Sequence, residues 1–172
     1  ATSIKYGTWL GGAITDSAIT LTEVHMQCRY VAWRTFSSAT GSPMVFTEVT
    51  AAAQFPIIFG PTDGSKTMTD SPVTVTDSVL TTTSSPGIDW RSPIVGSPVV
   101  MTNTLVTGPN GILFQWPVAT SPVVVTGVTV VASSDSTNSQ VLYFKRSLTS
   151  SPVTVSDSSL TCTSTLGVSF AI

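Results

Sequence analysis

Apolar and polar residues alternate with a period of two along much of the chain. Val73-Thr74-Val75-Thr76 and Val153-Thr154-Val155-Ser156 are the plainest cases. Such a segment buries Val on one side of a strand and shows Thr or Ser on the other. The vocabulary agrees: Val, Ile, Thr, Phe and Trp are prominent, and β-branched side chains lose χ1 freedom in helices but fit a pleated sheet. Turn signals separate the runs at Gly11-Gly12, Gly41-Ser42-Pro43, Pro61-Thr62-Asp63-Gly64, Ser85-Pro86-Gly87 and Gly108-Pro109-Asn110-Gly111. Short strands between frequent turns predict an all-β sandwich or barrel.

The pattern repeats at a long offset. SPVTVTDSVLTTTSSPGIDW from Ser71 is echoed by SPVTVSDSSLTCTSTLGVSF from Ser151, eighty residues on. Ser17 and Ser97 open similar segments at the same offset. Ala39 and Ala119 do so once Gly41 is counted as an insertion. The expectation is a tandem duplication: an N-terminal arm over 1–16, an antiparallel β unit over 17–96 and a second over 97–172. Ser-Pro recurs at Ser42, Ser71, Ser85, Ser92, Ser97, Ser121 and Ser151, usually before an apolar run. Proline has no N–H to give a ladder, so these pairs mark the first residue of a strand. The arm holds Ile4, Tyr6, Trp9 and Leu10 in strand-like spacing and has no equivalent at the repeat offset. It either adds an edge strand to its own sheet or exchanges with a neighbouring subunit.

Composition sharpens this. Of 172 residues, 9% are charged, against about 25% in an average soluble domain. Ser and Thr carry the polarity instead. Low charge suits a surface packed against copies of itself or a larger assembly. Mean hydropathy is positive, yet no window approaches the ~20 apolar residues of a membrane-spanning helix. Net charge is −2 with no basic cluster, so nucleic acid is not an expected partner. The small residue at position 1 is compatible with loss of an initiator Met or with cleavage of a leader. No Asn begins a glycosylation sequon. Cys28 and Cys162 are far apart, and spacing leaves open whether they pair.

Candidate chemistry is thin. His25 is the single histidine, so Ser/His/Asp catalysis would need it. Glu23 and His25 read more simply as a surface pair on a strand. One His and two distant Cys make no zinc site. Asp63 and Asp135 read as Asx-turns rather than calcium ligands, and Asp77 and Asp157, equivalent in the two units, as repeated tight turns. No cofactor, metal or catalytic residue is expected. Among the tryptophans, Trp33, Trp90 and Trp116 fall at positions matched by bulky apolar residues and read as core, with Phe36 grouped alongside. Trp9 has no match and is the candidate exposed contact. Rows of Thr raise an ice-binding array, but such arrays need a short coil repeat, and a period near eighty argues against one.

The expected function is a non-enzymatic structural subunit of a self-assembling particle. The leading case is a bacteriophage virion protein, as capsid decoration or cement or in a tail or collar. Its partners would be copies of itself and another virion structural protein. Three two-unit chains would make a trimer or a hexamer-like ring with six similar units, located in the virion. The alternative is an extracellular or cell-surface, pilus-like filament using strand exchange. The third reading is a module that binds glycans or receptors.

Overall fold

The computed structural model describes residues 6–61, 63–133 and 139–163. The chain winds as a parallel β-solenoid. The first coil contains β1 (Tyr6–Leu10), β2 (Ile14–Thr15), β3 (Ile19–Thr22) and β4 (His25–Gln27). Each later coil lays its four strands beside the same four, giving four parallel six-stranded sheets. We call them A, B, C and D after β1 to β4. Sheet C, for example, stacks Ile19–Thr22, Met44–Thr47, Val73–Thr76, Val99–Thr102, Val123–Thr126 and Val153–Ser156.

This corrects the expected antiparallel sandwich or barrel units of about eighty residues. Every sheet pairing is parallel and joins neighbouring coils. The eighty-residue echo has a geometric cause. Ile19, Met44, Val73, Val99, Val123 and Val153 stack in one column. Their successive steps are 25, 29, 26, 24 and 30 residues, and any three consecutive steps total 79 or 80. Single coils drift in length because the links differ, so self-similarity is visible only at three coils. The point at 96/97 falls at a corner of the fourth coil, and the Val73–Val99–Val123 ladder runs on through it.

Two of the corners are made by one left-handed residue each. Between sheets B and C these are Asp16, Gly41, Asp70, Gly96, Thr120 and Ser150. Between C and D they are Glu23, Glu48, Asp77, Asn103, Gly127 and Asp157. All twelve have φ between 47° and 63°. Asp, Asn and Gly tolerate this region best. At two places the order of residues is steric. A Cβ on Gly41 or Gly96 would lie 2.4 Å from the carboxylate of Asp16 or Asp70 in the preceding coil.

The residue after the B–C corner explains the Ser of Ser-Pro. Ser17, Ser42, Ser71, Ser97, Ser121 and Ser151 form a column along the axis. Each backbone N–H of the first five donates to the Oγ of the next serine, at 2.9–3.3 Å. From Ser42 onward each hydroxyl also donates to the carbonyl two residues back, at 2.7–2.9 Å. The turn thus closes inside the protein with its buried polar groups paired. Pro43, Pro72, Pro98, Pro122 and Pro152 then open the strands of sheet C, as expected. At the C–D corner Ser78 and Ser158 do similar work, accepting from the N–H of Val49 and Val128 at 3.1 Å.

The core runs the length of the coil stack. Phe59, Trp90, Phe114 and Phe144 stack in one column of sheet A, with centroids 4.9, 4.5 and 4.5 Å apart. Trp33 fills the next coil up, meeting Phe46 of sheet C at 4.8 Å and Phe59 at 5.1 Å. Sheets A and C therefore face each other across the core. Trp33 and Trp90 are fully buried, as expected. Phe170, the sequence match of Trp90, lies outside the described residues.

Candidate functional site

Sheet C turns a regular face outward. Thr22, Thr47, Thr76, Thr102, Thr126 and Ser156 form one column, and Thr20, Val45, Thr74, Val100, Val124 and Thr154 a second, two residues away. The columns repeat at about 4.8 Å along the axis. The expected objection to a Thr array, a period near eighty, is therefore removed. Six carboxylates flank this face at its corners: Asp16, Asp70, Glu23, Glu48, Asp77 and Asp157. The turn reading of Asp77 and Asp157 holds.

Sheet A turns out a face of a different character. Its outward positions carry Trp9, Arg34, Ile58, Asp89, Leu113 and Tyr143 in one column. Guanidinium groups lie over rings: Arg34 over Phe36 at 3.5 Å, Arg91 over Phe55 at 4.7 Å and Arg146 over Trp116 at 5.8 Å. Phe36 and Trp116 are thus half-buried on the outside, not in the core. Trp116 packs against Gly64 in the link after the third sheet-A strand, where Ser65 N–H donates to Asp63 Oδ1 at 3.0 Å. That bond makes Asp63 an Asx-turn and holds its carboxyl below the usual range. Asp135 lies outside the described residues.

Sequence reasoning missed the polar centre of this face. Asp89 is 0% exposed although it points outward. Arg91 Nε donates to its Oδ2 at 2.5 Å and Gln115 Nε2 to its Oδ1 at 2.7 Å. Beside it lies a shallow groove of about 410 Å³ lined by Pro86, Asn110, Leu113, Gln115, Gln140, Tyr143 and Lys145. The i, i+2 placement of Asp89 and Arg91 on one strand face was the available signal. Nothing in the sequence pointed to Gln115, which sits one coil away.

The predicted contact residues fall as follows. Ile4 lies outside the described residues. Tyr6–Leu10 pairs in parallel with Val31–Thr35, so this stretch is an edge strand of its own solenoid. Trp9 is 47% exposed on the outer face and stacks on Phe36 at 4.2 Å. Leu10 is half-buried against the core. His25 is exposed on sheet D, while Glu23 occupies the corner before it instead of sharing its strand. No group of three or more His, Cys, Asp or Glu among the described residues is placed to hold a metal. Cys28 and Cys162 form no disulfide. They occupy the same column at opposite ends of the coil stack, five coil steps or about 24 Å apart. Burial raises the Cys28 thiol pKa.

No family model, curated protein or solved structure matches this chain.

Proposed function

We propose that the chain is a non-enzymatic structural subunit of a self-assembling particle, a bacteriophage virion protein built into a capsid surface, tail or collar beside copies of itself and another structural protein. The observation that carries this reading is the state of the terminal coils. Solenoids need polar terminal coils to stay soluble. Here Ile14, Ile19, Leu21, Val24 and Met26 of the first coil, and Leu148, Val153 and Leu160 of the sixth, are only partly buried. Their neighbours one coil inward are at most 1% exposed. Among the described residues, the first and sixth coils both present the inward residues of an interior coil, and a further coil laid on either would bury them.

Stacking of the sixth coil of one copy on the first coil of the next supplies that cover and continues all four sheets. The union is head-to-tail, so it gives a ring or an open filament according to its rotation. The expected six similar units per trimer rested on two separate units, and the continuous stack removes that premise. A pilus-like extracellular filament would use the same ends. Light scattering over a concentration series tests the reading with the full chain and with Val155→Lys, which places a charge on the exposed strand of the last coil. The expected result is mass above one chain for the parent and one chain for the variant. One chain for both at every concentration would overturn it.

The Thr columns of sheet C favour a second reading, a face that binds ice. Thr and Val are also the ordinary outward residues of strands, which ranks this reading second. Ice-growth inhibition by the parent, lost in Thr76→Lys, would move it to first.

A further inference from the structure

We propose that the outer face of sheet A over the fourth to sixth coils is a carbohydrate-binding site. The argument starts from Asp89. The Asp89 carboxylate, paired with Arg91, accepts from both of its neighbours, so it dictates how its donors turn. Gln115 must point its Nε2 inward at Asp89 Oδ1, which turns its Oε1 acceptor toward the groove. Asn110 is fixed the other way round: its Oδ1 accepts the N–H of Gln140 at 3.1 Å, leaving its NH₂ as the donor on the groove side. An oriented donor and an oriented acceptor thus sit at the two ends of one strand, Asn110–Phe114, beneath one groove. Sugar hydroxyls both donate and accept, so hydroxyls on different residues of one oligosaccharide can meet the two amides, about 16 Å apart along the strand.

The remaining lining fits the same ligand. Leu113 and the half-exposed ring of Tyr143 stack in one column and give an apolar floor for the C–H face of a pyranose. Arg91 neutralises Asp89, so the groove carries no uncompensated carboxylate, and Lys145 at its edge adds one cation. Of the strands under the groove, Pro86–Trp90 and Asn110–Phe114 are paired on both sides, while Leu142–Phe144 is the edge strand of sheet A. One lysine is too little charge for a phosphate backbone.

The test is a glycan microarray probed with the full chain, followed by calorimetry with maltohexaose and with a galacturonate hexamer as neutral and acidic probes. The expected result is saturable binding to at least one array glycan, weakened tenfold or more in Tyr143→Ala while the thermal midpoint of Thr149→Ala, on sheet B, and its binding stay unchanged. Lys145→Ala separates the ligand classes: it weakens an acidic glycan and leaves a neutral one alone. No array glycan bound above background, or binding equal in the parent and Tyr143→Ala, would overturn the proposal.

Discussion

Ser97→Ala removes one oxygen from the middle of the serine column, and the structure sets the size of the loss. Ser97 is 0% exposed. Its Oγ accepts the N–H of Ser71 and donates to the carbonyl of Val95, both at 2.9 Å. Alanine fits the space and keeps the backbone, so the main effect is a buried N–H stripped of its acceptor. That costs about 1–3 kcal/mol, and we take about 2. Ser17 begins the same column but is exposed, and its hydroxyl only donates, to Thr15 at 2.9 Å. Ser17→Ala should therefore stay within about 0.5 kcal/mol. Urea unfolding followed by circular dichroism reads the difference. With a slope of about 2 kcal/mol per molar, Ser97→Ala lowers the midpoint by about 1 M and Ser17→Ala by no more than about 0.25 M. Equal midpoints for the two variants would refute the claim that the column closes the corners through buried hydrogen bonds.

Two further stability tests address the core and the corners. Trp90→Ala empties the centre of the stacked ring column and should cost about 3–5 kcal/mol, read by the same unfolding curve; a loss near that of a surface change would contradict the stacking. Glu48 holds φ at 54°, a region that costs a non-glycine residue about 1–2 kcal/mol, partly offset by the extra chain entropy of glycine. Glu48→Gly should raise the unfolding free energy by up to about 1 kcal/mol, and a net loss would show that the glutamate side chain contributes there.

The strands were legible because alternation of Val with Thr depends only on one side being buried. It does not distinguish an antiparallel neighbour from a parallel one. The corners misled for a related reason. Gly, Asp and Asn mark left-handed residues whether the chain reverses in a hairpin or bends by one residue into the next sheet. Pro43 and its equivalents were read correctly as strand openers, whereas the serine before each revealed its role only when consecutive coils were stacked. Coil lengths drift between 24 and 30 residues, which hid the short period behind the longer echo. Trp33 and Trp90 were recognisable as core. Phe36 and Trp116 were not recognisable as outward, because bulk at repeated positions signals packing on either side of a sheet. The Asp89, Arg91 and Gln115 cluster joins two coils and has no single-stretch signature.

The most direct test of coil-on-coil assembly uses the chain's own two cysteines. Cys28 and Cys162 share one column at opposite ends. In a head-to-tail stack they become neighbours one coil apart, at about 4.8 Å, inside the Cα separation a disulfide accepts. Mild oxidation of the concentrated protein, run on a non-reducing gel, should give a ladder of covalent multimers. Cys28→Ser should abolish the ladder, because each bond in a head-to-tail stack joins Cys162 of one copy to Cys28 of the next. A single monomer band for the parent, with both thiols still titratable after denaturation, would contradict assembly through the coil ends.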